Sequence, residues 1–249
     1  MNTMGEILKL LKLKHLLLIF LLSGIDNILY ARTIIVLIGA PGIGKTSLGL
    51  KLQKESNFLF FNKWERFAGD QQVKSMSLLK KDDKQAFWHE KTKLYGEVVK
   101  ENTSANGFIF QSEEVCVLNY ELFKTYLEPD DKFLFIQLKA NRNFLTGGVL
   151  ERVLKRRTCS NYICGQVYGK KSPRFHGICD DCGHKLSYRS VDNPVDHLRR
   201  VDEYLAIEKD LINKIENLDE KIYKIFVECN EQQLFRQVKE ILQDYNERE

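Results

Sequence analysis

One glycine-rich turn constrains this chain more than any other stretch. Residues 32–38, Arg-Thr-Ile-Ile-Val-Leu-Ile, form a continuous run rich in β-branched side chains. Such a run predicts a strand buried on both faces of a parallel sheet. It passes directly into Gly39, Ala40, Pro41, Gly42, Ile43, Gly44, Lys45, Thr46 and Ser47, then into Leu48 to Leu52 at helical spacing. Strand, glycine loop and helix in that order make a cradle for phosphate. The glycines let backbone N–H groups converge on phosphate oxygens. The helix N-terminus adds partial positive charge, and Lys45 adds a full one. Thr46 or Ser47 is placed to reach a magnesium ion.

The remaining composition narrows the class. The 249 residues are 43% apolar and 29% charged, which suits one packed unit with small insertions. A net charge of +4 implies no bulk attraction to nucleic acid, which is therefore not an expected partner. Basic residues do gather locally, at Lys155, Arg156 and Arg157 and at Arg199 and Arg200. Beside a phosphate cradle, such clusters suggest phosphate ligands. Residues 1–31 stand apart. Lys9, Lys12 and Lys14 precede an apolar run over 16–22, and Ala31 closes the segment. These are the parts of a secretory signal or signal-anchor, or of an amphipathic helix in contact with a membrane.

Six cysteines are present, four of them between 159 and 182. Cys116 and Cys229 sit in apolar contexts and are expected as buried small side chains. Four residues separate Cys159 from Cys164, and after fourteen more come Cys179 and Cys182 with a two-residue gap and a following glycine. Two close pairs joined by a short loop can converge on one tetrahedral ion, with thiolates as soft ligands for zinc; a disulfide or a metal-free knuckle is the alternative. Such a site is structural. Arg152, Arg156 and Arg157 precede the knuckle, while Arg189 and Arg200 follow it. A planar guanidinium fork suits phosphoryl oxygens, and charge on a transferred group is what such clamps stabilise.

Taken together, these residues resemble the adenylate kinase family in its long-lid, zinc-binding form. The matching pieces occur in the family's order over nearly all of 32–249: the Gly39–Lys45 loop, a strand at Phe133–Leu138, and Glu151-Arg152 with Arg156-Arg157. The four cysteines, Tyr188-Arg189, and Leu198-Arg199-Arg200 with Glu203-Tyr204 follow. The resemblance implies an α/β fold with a P-loop NTPase-type parallel sheet flanked by helices, a helical insert binding a nucleoside monophosphate, and a small zinc-knuckle lid. It implies a core over 32–61, 104–155 and 191–249, the insert over 62–103 and the lid over 156–190. The implied activity is transfer of the terminal phosphoryl of ATP to AMP or a related monophosphate by a monomeric, cytoplasmic enzyme using Mg2+ and a structural Zn2+.

The resemblance also assigns roles. Lys45 would follow the transferred phosphoryl, Arg152 would stack on the donor base, and Arg156 would contact donor phosphates. Arg189 and Arg200 would neutralise charge during transfer. On the acceptor side this chain departs from the family. An acidic residue is replaced by Gln111, and the arginine that holds the monophosphate is replaced by Val115. Lys63, Arg66 and Lys74 are the candidates to take over that phosphate. The alternatives are a different small acceptor or an ATP-binding chain without transfer.

Overall fold

The computed structural model of the chain describes residues 32–111, 114–161, 164–169, 173–190, 192–227 and 231–247. The segment 1–31 and Cys229, for which the sequence raises expectations, lie outside them. Five parallel strands form the central sheet: β1 (Thr33–Gly39), β2 (Phe58–Phe61), β3 (Gly107–Phe110), β4 (Lys132–Lys139) and β8 (Ile222–Phe226), in the order β2-β3-β1-β4-β8. Every residue of β1 and β3 is buried, as their unbroken apolar runs require of strands covered on both faces. β8 sits at the edge and alternates, with only Ile225 fully enclosed. At the base of the sheet, Arg32 forks onto Asp131 at 2.8 and 2.5 Å and donates to the Val99 carbonyl at 3.1 Å.

The chain leaves β1 toward β3 and β2 on one side, then returns to β4 and β8 on the other. The strand order therefore reverses around β1. Open α/β sheets bind ligands at such a switch point, outside the carboxyl ends of the strands. Helix α1 (Lys45–Glu55) starts there and packs back on β2. Their close approach depends on Gly49: a Cβ at this position would lie 2.5 Å from the ring of Phe60, which is fully buried and has no room to yield. Gly49→Ala gains about 1 kcal/mol of helix propensity. The overpacking costs roughly 2–3 kcal/mol. A net loss of about 1–2 kcal/mol is expected in a urea titration.

Two helices, α2 (Asp70–Asp82) and α3 (Lys84–Glu101), fill the stretch between β2 and β3, and Asp83 caps α3 through the Ala86 N–H at 3.0 Å. After β3 come a π-turn at Glu114–Leu118 and α4 (Tyr120–Lys124). After β4 come α5 (Arg142–Thr146) and α6 (Gly148–Leu154). A second, three-stranded sheet follows, in the order β6-β5-β7, made of β5 (Arg157–Cys159), β6 (Val167–Tyr168) and β7 (Leu186–Ser187). Among the described residues its own core is Cys159, Tyr168, Cys179 and Leu186, with Cys164 and Cys182 packed against them. The long helix α7 (Pro194–Glu216) and α8 (Glu231–Glu247) complete the main unit. None of the described helices is long and apolar enough to cross a membrane.

Candidate active site

A cleft of about 1760 Å³ opens at the carboxyl end of β1. The glycine loop forms its floor. Gly39 adopts φ +148°, and a Cβ there would lie 2.7 Å from the Leu138 carbonyl oxygen, so only glycine fits between β1 and β4. Gly44 caps α1 without a side-chain acceptor, and no acidic residue stands in the first turn. The positive end of the helix thus faces the loop. Lys45 folds over the same loop, donating to the Gly39 carbonyl and, at 3.4 Å, to that of Ala40. Thr46 donates its hydroxyl to Gln111 Oε1 at 2.8 Å, and Gln111 donates to the Asn62 carbonyl at 3.2 Å. The ends of β2 and β3 are thereby fastened to the loop helix. Of the nine candidate loop residues, all but buried Ile43 line the cleft.

Arg152, Arg156, Arg189 and Arg200 line the same cleft. Arg156 makes a two-pronged pair with Asp192, at 2.9 and 2.5 Å, and the Asp192 side chain is only 1% exposed. Arg189 lies partly enclosed by protein although much of its surface still meets solvent. Burial lowers its pKa, Asp192 opposes that, and the charges of Arg156 and Arg200 reinforce it. Asp192 is thus the carboxylate partner of Arg156, while Arg189 and Arg200 line the cleft beside them and add positive charge. Arg152 bonds the Gly148 carbonyl at 3.3 Å and lies over the Phe144 ring, while its Nη2 is buried with no hydrogen-bond partner. That donor is one an incoming ligand can satisfy. Arg157 instead stacks on Tyr188 at the base of the small sheet, and Arg199 pairs with Asp196 and Glu203 at the surface.

Asp192 and His197 are absent from the sequence-derived set. Asp192 precedes the Asn193-Pro194 start of α7, where a carboxylate reads as an ordinary turn residue. His197 is 1% exposed, bonds the Leu145 carbonyl at 3.0 Å and lies against Gly42. Removing Asp192 leaves Arg156 without its counter-charge in a largely enclosed site. Asp192→Ala is therefore expected to cost about 3 kcal/mol, measured by chemical denaturation.

The four cysteines of the knuckle converge. Their sulfurs all lie within 4.8 Å of one another, with Cys159 and Cys182 at 3.3 Å and Cys164 and Cys179 at 3.6 Å. These separations are far beyond a disulfide bond of about 2 Å. Sulfurs about 2.3 Å from a tetrahedral zinc stand roughly 3.8 Å apart, so the set fits such an ion. Two turns hold it: Gly183 N–H bonds the Cys179 carbonyl at 2.9 Å, and Gly165 N–H bonds that of Asn161 at 3.0 Å. Burial pushes the Cys159 thiol up to about 11. Burial also acts against the Cys179 thiolate, but the Tyr168 hydroxyl and backbone N–H groups of Asp181 and Cys182 outweigh it and hold Cys179 at about 7.

On the opposite wall stand Asn62, Arg66, Trp88, Lys91, Tyr95 and Gln111. Of the three cations expected to replace the missing arginine, only Arg66 reaches the cleft. Lys63 falls outside its lining, and Lys74 is exposed on α2. Val115 is fully buried in the apolar core. Arg66 donates to Asn62 Oδ1 at 3.1 Å; burial lowers its pKa, and the nearby Cys164 and Tyr95 oppose that. Cys164 belongs to the knuckle and lines the same cleft.

The parallel sheet, the glycine loop and the clustered cysteines define an α/β P-loop kinase fold. The chain is 25% identical over 198 residues to the adenylate kinase of Thermoanaerobacter sp. (strain X514), spanning 74% of this chain and 89% of that one. It is 28% identical over 197 residues to the adenylate kinase of Caldicellulosiruptor bescii, spanning 72% and 85%. Against the adenylate kinase of Caldanaerobacter subterraneus subsp. tengcongensis it is 25% identical over 188 residues, spanning 72% and 82%. No protein-family model matches the chain. It is a divergent relative of the adenylate kinases.

Proposed function

We propose that this chain transfers the terminal phosphoryl group of ATP to a nucleoside monophosphate. One observation carries the reading: Lys45 and the arginines 156, 189 and 200 all line a single cleft at the switch point of the sheet. Phosphoryl transfer has a loose transition state with charge spread over oxygens, so catalysis is positioning and electrostatic stabilisation. The loop N–H groups and Lys45 would hold the donor phosphates, and Arg152 the donor base. Arg156, fixed by Asp192, would meet the donor phosphates, with Arg189 and Arg200 facing the group in transit. A knuckle reaching over the cleft would exclude water and disfavour hydrolysis.

Two ions fit the residues present. Thr46 Oγ1 and Gln111 Oε1, 2.8 Å apart at the loop, are oxygen donors of the type magnesium takes, and the ion would neutralise phosphate charge. Cys159, Cys164, Cys179 and Cys182 would hold a structural zinc. The second reading, ATP binding without transfer, is favoured by Val115, which is core where the relatives' motif carries a phosphate-binding arginine. A coupled assay with ATP and each of AMP, GMP, CMP and UMP separates the two. Turnover with one or more supports transfer, and no turnover with any of them rejects it.

A further inference from the structure

The acceptor wall carries a feature that neither the loop nor the lid explains. Lys91 is only 8% exposed on α3, yet it lines the cleft. Its ammonium lies 4.5 Å from the centre of the Trp88 ring and 5.3 Å from that of Tyr95. The ring faces contribute an attraction to this cation and fix where it stands.

A series of contacts orders this wall. At the loop, Thr46 bonds Gln111, and Gln111 bonds the Asn62 main chain. Arg66 bonds the Asn62 side chain and lies 5.7 Å from the centre of the Phe67 ring, which packs edge-on against Tyr95. Tyr95 packs on Phe61 of β2, with ring centres 4.6 Å apart, and so marks the sheet end of α3. Lys91 is one turn further out along that helix, about 6 Å by its rise per residue, and Trp88 is nearly one turn beyond. An acceptor phosphate must face the loop, because the transferred group arrives from there. Of Arg66 and Lys91, Arg66 is the one joined to the loop, through Asn62 and Gln111. Lys91 and Trp88 therefore meet the opposite end of the acceptor, its base.

A lysine ammonium carries three donors and no acceptor. A base edge set against it must present acceptors. Guanine offers O6 and N7, and uracil offers carbonyl oxygens, whereas adenine places an amino donor beside N7. Donor against donor is a repulsive element, which discriminates as effectively as a new attraction. Trp88, half-buried and flanked by Phe87 at 4.9 Å, lines the cleft and holds the Lys91 ammonium in place beside it.

Resting on the transferase reading above, we infer that the acceptor is a monophosphate with a keto-bearing base. Arg66 takes its phosphate, and Lys91, held by the rings of Trp88 and Tyr95, is the specificity-determining residue that donates to a base carbonyl. The shared chemistry is a carbonyl oxygen at the base edge, from a purine or a pyrimidine.

Binding tests this without requiring turnover. The only two tryptophans, Trp64 and Trp88, both stand between β2 and β3, so emission reports on this wall. The full chain is titrated with GMP, UMP and AMP, following tryptophan emission and, independently, heat of binding. At least one keto monophosphate is expected to bind about tenfold more tightly than AMP, consistent with the discrimination of one good base contact. GMP ahead of UMP identifies a purine, and the reverse a pyrimidine. Lys91→Met is expected to erase the preference by weakening the keto ligands and tightening AMP, Lys91→Arg to keep it, and Arg66→Met to weaken all three alike. AMP binding as tightly as or more tightly than both keto ligands overturns the inference, and that comparison needs no variant. So does a Lys91→Met chain that loses all three equally, which would place the ammonium on the phosphate. Absence of turnover in the coupled assay rejects the transferase reading but leaves this binding order to be judged separately.

Discussion

The Lys45→Met chain is expected to turn over about 10²–10³-fold more slowly than the native chain, the loss typical when one preorganised donor to developing charge is removed. The Lys45 ammonium sits where the glycine loop and the positive end of α1 converge, bonded to loop carbonyls. From that position a flexible cation can follow a phosphoryl group from donor to acceptor, and a thioether cannot. Lys45 is not part of the apolar core, so its replacement should leave the fold in place. The measurement is kcat in the coupled assay with the best monophosphate, alongside a thermal melt as a control. An unchanged kcat with an unchanged melt would remove Lys45 from the mechanism.

The second large effect concerns the knuckle. A native chain is expected to carry one zinc, and Cys179→Ser to carry almost none by elemental analysis. The small sheet has strands of two or three residues and a core of four side chains, two of them cysteines. A core this small needs a metal or a disulfide to hold a fold, and sulfurs 3.3 and 3.6 Å apart fit a shared ion rather than a disulfide of about 2 Å. Loss of the ion should release hydrogen-exchange protection over 157–187 while the central sheet keeps its own. Arg156 and Arg189 flank that segment, so turnover should fall by about 10²-fold, the usual consequence of displacing positioning groups by an ångström or more. A metal-free native chain with the same protection would refute the structural role.

The donor half was legible in the sequence because its chemistry is local. Strand, loop and helix follow one another over about twenty residues, and short runs rich in β-branched or aromatic residues such as 34–38 and 133–138 read as buried strands. The knuckle was legible for the same reason, through two short cysteine spacings. What escaped depends on contacts across the chain. Asp192 matters only because Arg156, thirty-six residues earlier, folds onto it. The acceptor wall is assembled from Asn62 and Arg66 after β2, Lys91 and Tyr95 on α3, and Gln111 after β3. No spacing rule joins these three segments. Lys63 and Lys74 were as good as Arg66 by composition, and only the turn after β2 and the exposed face of α2 separate them. Trp64 and Lys91 also defeat pattern reading, since a lysine on a charged helix is normally solvated and here is enclosed by rings.

The amide of Gln111, where the resemblance implies a carboxylate, has a consequence for the range of conditions over which the cleft keeps its shape. The joint between the loop helix and the two neighbouring strands is made by one amide, accepting from Thr46 and donating to Asn62. A carboxylate in that place would be accepting only when ionised and would change its bonding as it protonated near pH 4. An amide offers a donor and an acceptor at every pH and carries no charge to be screened by salt. Acidification and ionic strength can therefore act on the arginines' ligands, but the seam on which both halves of the cleft are hung is indifferent to them.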